Sequence, residues 1–137
     1  MKILITTDGS ENSLKAINWT MEKMARENDQ VILMTVSQFA QDLLAEMPPG
    51  TQDKLEAIAG EVLEKGKNIL KEKGIEPQIV LEVGTVPANN IIRRAEDEKV
   101  DIIVMGSTGL SGLKKTLLGS TASKVVGNAP CSVCIIR

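Results

Sequence analysis

The sequence contains no histidine, and Trp19 and Phe39 are its only aromatic side chains. Without histidine the commonest general base is missing, and with it the Ser-His-Asp and Cys-His nucleophile systems and most zinc chemistry. With so few aromatic rings no stacking platform for single-stranded bases can be built. Charge of one sign is scarce as well: 137 residues carry a formal net charge of −2, which favours neither nucleic acid nor an anionic membrane. No apolar run approaches the length of a membrane span, and Asp8 interrupts the apolar start too early for a secretory leader. The expectations are no nucleic acid, no membrane and a cytoplasmic location.

Cysteine is nearly absent too. Cys131 and Cys134 form a C-x-x-C, but inside Cys131-Ser132-Val133-Cys134-Ile135-Ile136, which reads as a strand. Residues three apart on a strand point to opposite faces and lie roughly 10 Å apart, whereas a disulfide needs Cα atoms within about 7 Å. A redox pair also belongs at a helix N-terminus. Buried, inert cysteines are the expectation.

What is present is an ordinary globular balance, 42% apolar and 25% charged, long enough for one domain, 1–137, with a proper core. Apolar runs at 2–6, Val31 to Val36, Ile79 to Val83, Asp101 to Met105 and Cys131 to Ile136 read as strands. Between them, Leu14, Ile17, Met21 and Met24 recur at helical spacing, predicting a helix from about Ser10 to Glu27. Leu55, Ile58, Val62 and Ile69, a stripe widened by Leu63 and Leu70, predict a second helix ending near Lys73-Gly74. Pro87 opens a third with Ile91, Ile92 and Ala95 inward, and a fourth runs from Ser120 to about Asn128. Ser37 to Asp53, with Pro48-Pro49-Gly50, reads as an excursion with one short helical piece around Gln41 to Glu46. Alternating strands and helices predict an α/β fold: a three-layer, doubly wound, five-stranded parallel sheet. Ligands of such sheets sit outside the carboxyl ends of the strands, where the strand order reverses.

Two turns at that end stand out. Gly106-x2-Gly109-x9-Gly119-Ser120 is a long glycine-rich loop that leaves a strand and feeds a helix. Connections are usually about four to six residues. Free amides at a helix start, with the positive end of the helix dipole, hold phosphate. The plain alternative is that Ser120 is an N-cap and the glycines serve turns. No Walker A pattern occurs, and no G-x-G-x-x-G follows the first strand. Asp8, at the end of that strand, can meet a ribose hydroxyl or an adenine amino group, or help hold a metal. Its plain alternative is a cap for the first helix, in Asp8-Gly9-Ser10-Glu11. Lys114 and Lys115 can neutralise phosphates or form a solvated face.

At these residues the chain resembles the ATP-binding branch of the universal stress protein family, whose pattern is Gly-x2-Gly-x9-Gly-Ser/Thr. Ile3-Leu4-Ile5-Thr6-Thr7-Asp8-Gly9-Ser10-Glu11 resembles the family's opening strand and Asp turn. Val100 to Gly106 resembles its fourth strand, and Ala129 to Cys134 its closing one. The resemblance implies strand order 3-2-1-4-5, an adenine nucleotide alpha hydrolase-like (Rossmann-like) fold, and a homodimer through the last strand, Cys131 to Ile136. It implies that Thr6, Thr7 and Asp8 meet the adenosine end and that Val36 lines the adenine pocket. Met105, Gly106, Thr108 and Gly109 would border the ribose and phosphates, and Gly119, Ser120, Thr121 and Ala122 would hold the phosphates. The ligand it implies is ATP, or ADP or AMP, with Mg2+ or Mn2+ held by the phosphates. Two positions depart from the family: Thr108 stands where a basic residue or histidine is frequent, and Gly84-Thr85-Val86-Pro87 is one residue longer than Gly-x-Pro. With no catalytic base in the loop, the expected function is regulatory nucleotide binding in a stress response, with hydrolysis slow or absent. The alternative is a nucleotide-free dimerisation module of the same fold.

Overall fold

The computed structural model describes residues 1–38, 47–109 and 117–137. The expected helical piece at Gln41 to Glu46, and Lys114 with Lys115, lie outside the described residues. The elements follow in the order β1 (Lys2–Thr6), α1 (Glu11–Lys23), β2 (Gln30–Gln38), α2 (Thr51–Glu72), β3 (Gln78–Gly84), α3 (Pro87–Asp97), β4 (Ile102–Gly106), α4 (Ser120–Asn128) and β5 (Ser132–Ile136). All strand pairs are parallel, and the five strands lie in the order β3-β2-β1-β4-β5.

The central strand is buried on both faces. Ile3, Leu4 and Ile5 are fully buried, and alternate residues feed two cores. Leu4, Ile32 and Ile103 pack under α3 and α4 with Ile91, Ala95 and Val125. Ile3, Ile5 and Leu33 pack under α1 and α2 with Ile17, Leu63 and Leu70. Each such side chain stabilises the fold by about 1.5–3 kcal/mol, so the sheet interior carries most of the hydrophobic term.

The helices differ from expectation in ways that packing explains. α1 starts at Glu11 with Ser10 as N-cap, its hydroxyl accepting from the Ser13 amide, and ends at Lys23 rather than Glu27. It ends early because the Ala25 amide turns back to the Thr20 carbonyl (2.8 Å) and Asp29 caps the Arg26 amide (2.9 Å). The core face of α2 is Ala59, Leu63, Gly66 and Leu70, the side on which Leu63 and Leu70 widen the stripe, and Ile58 is 58% exposed. A Cβ on Gly66 would lie 2.9 Å from a Leu33 methyl and 3.0 Å from Ile17, so the helix presses its small residues against the sheet. β3 is an edge strand that buries Val80 and leaves Ile79, Leu81 and Val83 partly in solvent, unlike the doubly covered strand the apolar run predicted.

At the other edge, Cys131 packs against the α3/α4 core and Cys134 against the α1/α2 core. They face opposite sides, as strand geometry requires. Both are half-buried rather than buried, and neither is in a disulfide. Burial pushes both thiols above their ordinary pKa.

Candidate functional site

The strand register leaves a notch at the carboxyl end of the sheet. Thr6, the last residue of β1, pairs with Met34, but β2 runs on to Gln38. On the other side Ile5 pairs with Val104, and β4 runs on to Gly106. Neighbours that overshoot the middle strand, β2 by roughly 13 Å at the usual rise, make two walls with Thr6, Thr7 and Asp8 as the floor. This is the point where the strand order reverses.

A cavity of about 500 Å³ fills the notch, within the range of small-molecule sites. The structure brings all the site residues named from the sequence to its lining: Thr6, Thr7 and Asp8 from the β1 turn and Val36 from β2. Met105, Gly106, Thr108 and Gly109 come from the end of β4, and Gly119, Ser120, Thr121 and Ala122 from the start of α4. The sequence reading missed the front wall, Leu55, Ile58 and Val62 of α2, and the Pro87 and Ile91 side of α3. Their signal was the width of the α2 apolar stripe, more than one core face can use.

The floor is a turn that holds itself. The Ser10 amide donates to Asp8 Oδ1 (2.9 Å) and the Gly9 amide to Thr7 Oγ1 (3.2 Å). Asp8 therefore shapes the turn, and Ser10, not Asp8, caps α1. Gly9 has φ +81°, and a Cβ there would press within 3.0 Å of Val62, so both conformation and space demand glycine. Ser13 Oγ donates to the Ser10 carbonyl (2.9 Å), so its 3.0 Å partner Thr7 Oγ1 is the donor in that pair. The Thr7 hydroxyl proton is thus spent inside the turn.

The glycine loop is drawn tight at both ends. The Ser107 amide donates to the Ile136 carbonyl (2.8 Å), and the Gly119 amide to the Ser107 carbonyl (2.7 Å), closing the neck of the loop. A Cβ on Gly106 would meet the Asn12 carbonyl carbon at 2.8 Å and the Ser13 amide nitrogen at 2.9 Å; one on Gly109 would lie 2.5 Å from Asp8 Oδ2. At Gly106 the obstacle is backbone, so the two segments approach too closely for any side chain, whereas at Gly109 it is the end of the Asp8 side chain. Gly119 is the N-cap of α4 and offers no side chain to its first turn. The amides of Ser120, Thr121 and Ala122 find no acceptor within the helix, and all three residues line the cavity. Ser120 is the first helical residue, so its hydroxyl is not the cap.

Asp8 is the one ionisable side chain among the described residues lining the cavity. The rest of the polar lining is hydroxyls, backbone groups and the Gln38 carboxamide. Among the described residues no group of three or more His, Cys, Asp or Glu is gathered as for a metal ion, and no helix is long and apolar enough to cross a membrane. The helix-start amides and close-set glycines fit a phosphate-bearing ligand.

Parallel strands in the order 3-2-1-4-5, helices on both faces and a glycine-lined notch at the reversal define a Rossmann-like α/β protein. The sequence model of the Universal stress protein family matches residues 1–137. Universal stress protein MJ0531 of Methanocaldococcus jannaschii is 36% identical over 147 residues, covering 99% of this chain and 81% of that protein. The chain belongs to the universal stress protein family. The solved structure of hypothetical protein MJ0577 superposes with a TM-score of 0.87 at 32% identity, covering 98% of this chain and 94% of that one. The universal stress protein of Archaeoglobus fulgidus, solved in complex with dAMP, gives a TM-score of 0.76 at 20% identity, covering 100% and 98%. A family member from Arabidopsis thaliana, solved with AMP bound, gives 0.72 at 20% identity, covering 99% and 90%. At that identity the last two speak for the fold.

Proposed function

We propose that this chain binds an adenine nucleotide in the notch and acts as a regulatory, cytoplasmic homodimer in a stress response, with hydrolysis slow or absent. The ligand is ATP, or ADP or AMP, with Mg2+ or Mn2+ held by its phosphates. The observation that carries this reading is the convergence of the β1 turn, the β4 glycines and the uncapped start of α4 on one cavity. Thr6, Thr7 and Asp8 meet the adenosine end, and Val36 lines the adenine pocket. Met105, Gly106, Thr108 and Gly109 border the ribose and phosphates. Gly119, Ser120, Thr121 and Ala122 hold the phosphates through their amides and the Ser120 hydroxyl. The dAMP and AMP found on relatives of the same fold support the ligand class. The half-buried β5 edge, with Val133, Ile135 and Ile136 only partly covered, supports pairing of two copies along the last strand.

The test is titration calorimetry of nucleotide-stripped protein with ATP–Mg2+, repeated with Ser120→Ala, alongside the oligomeric state by sedimentation. Saturable binding that weakens in the variant supports the reading. No heat and no bound nucleotide would refute it and leave a nucleotide-free dimerisation module whose glycines serve only the fold.

A further inference from the structure

Asn12 is the second residue of α1, yet its side chain takes no part in capping that helix, which Ser10 does. It reaches instead to the glycine loop, its Nδ2 lying 2.8 Å from Thr108 Oγ1 and 3.3 Å from Ser107 Oγ. The contact has no slack, because the missing side chain of Gly106 lets the end of β4 sit directly on the Asn12 and Ser13 backbone. Two rigid elements therefore set the distance between this carboxamide and Thr108.

A carboxamide nitrogen has protons to give and no lone pair to offer, whereas a hydroxyl has one proton and two lone pairs. When Asn12 donates to Thr108 Oγ1, it fills a lone pair and leaves the hydroxyl proton for another partner. Thr108 is a lining residue of the cavity, so a ligand there is a candidate for that proton. The direction matters because the described lining holds no cationic side chain. Among the described residues an anion there is met by dipoles, and a hydroxyl attracts or repels it according to which end it presents. Thr7 shows the contrast: its proton is committed to Ser13, inside the floor.

We propose that Asn12 is a positioning residue of the ligand site, one that sets the Thr108 hydroxyl, with Ser107 beside it, as a hydrogen-bond donor to a phosphate oxygen. This rests on the nucleotide reading above and deepens it by placing the donors of the phosphate end. The dipole of an oriented hydroxyl here supplies part of what a basic side chain at position 108 would.

The experiment compares affinities for ATP–Mg2+ and for adenosine, because the ratio isolates the phosphate end. Asn12→Ala and Thr108→Val should each lower the ratio about tenfold, the scale of one hydrogen bond to a charged group. The double variant should fall little further, since both changes remove one unit. Asn12→Asp, nearly the same shape but an acceptor, should lower the ratio more than Asn12→Ala, because both hydroxyls must then turn their protons toward it. Asn18→Ala serves as the control: that carboxamide donates to the Leu14 carbonyl on the exposed side of the same helix. Melting of the ligand-free variants shows whether any change is one of folding. A ratio unchanged in Asn12→Ala, or ATP and adenosine weakened equally, overturns the proposal, as does an unaltered ratio in Asn12→Asp. If the unmodified chain binds neither ligand, the nucleotide reading fails and this one with it; binding with an unmoved ratio overturns this one alone.

Discussion

Gly109→Ala tests the site at its tightest point. The added Cβ would lie 2.5 Å from Asp8 Oδ2, against an ordinary contact limit of 3.4 Å, so the carboxylate must retreat by about 0.9 Å. It is the end of a side chain, and Gly109 does not need a positive φ, so the ligand-free fold should barely register the change. At about 2.1 cal/mol/K per residue, 137 residues unfold with roughly 290 cal/mol/K, and 1 kcal/mol moves Tm by about 3.5 °C. ATP–Mg2+ at a hundred times its Kd should add about 2.7 kcal/mol, or roughly 9 °C. Displacement of a positioned group by about 1 Å weakens an interaction by tenfold or more. At the same ligand concentration the variant should then gain only about 1.4 kcal/mol, roughly 5 °C. Differential scanning calorimetry of both proteins, with and without ligand, measures all four numbers. A ligand-free Tm within about 2 °C of the parent together with a halved ligand shift is the expected result. A full 9 °C shift in the variant would refute the reasoning, because neither Asp8 nor the loop would then be part of the site.

Other consequences are local. Gly60→Ala, with nothing within 4 Å of the new methyl, should raise stability by about 1 kcal/mol, while Gly66→Ala on the same helix should lower it by 1 kcal/mol or more against Leu33 and Ile17; urea melts that rank them the other way would refute the packing of α2. Lys99 sits at φ 53° just after α3, so Lys99→Gly should stabilise by about 0.5–1 kcal/mol, read as a higher urea midpoint. For Glu82, burial alone would raise the pKa, but hydrogen bonds from Asn90, Arg94 and Arg93 outweigh it and hold the carboxyl below its ordinary value. Its contribution is present above the unfolded-state pKa of about 4.3 and is lost as pH falls through the lower folded one. Glu82→Gln should therefore be less stable by about 2 kcal/mol at pH 7, with the gap closing on acidification; a gap that widens toward pH 3 would sink the argument. Cys131 and Cys134, both raised by burial, should alkylate at pH 7.5 more slowly in the folded protein than in urea.

The sheet was legible because its central strands leave one reading. Lys2–Thr6 and Ile102–Gly106 are short apolar runs too brief for helices and too continuous for one-sided strands, and both are covered on two faces. Edge effects were not legible. Ile79, Leu81 and Val83 look like Ile3, Leu4 and Ile5 on the page, and only their place at the end of the order leaves them partly in solvent. The phase of α2 was hidden for a related reason. Leu55, Ile58 and Val62 form as good a stripe as Ala59, Leu63 and Leu70, and the choice falls to how closely Gly66 lets the helix approach Leu33.

That choice also decides what the unused stripe is for. Rotated one step, α2 would bury Ile58 and turn Leu63 outward, and the notch would lose its apolar front wall. With Gly66 at the contact, the helix seats low on Leu33 and Ile17, and Leu55, Ile58 and Val62 are left above the ends of β1 and β2, where they line the cavity. Asn12 belongs to the same category. Nothing marks it in the chain, since an asparagine near a helix start reads as part of a cap, and its partner Thr108 is 96 residues away. The glycines and Asp8 could be found because each leaves a local trace, a spacing or a turn. Asn12 meets its partner only after the fold has brought distant segments within a few ångströms of each other, and the α2 wall leaves only a stripe too wide for one core face. A binding site at a topological switch point therefore has two populations of residues, and sequence alone exposes the one whose backbone is unusual.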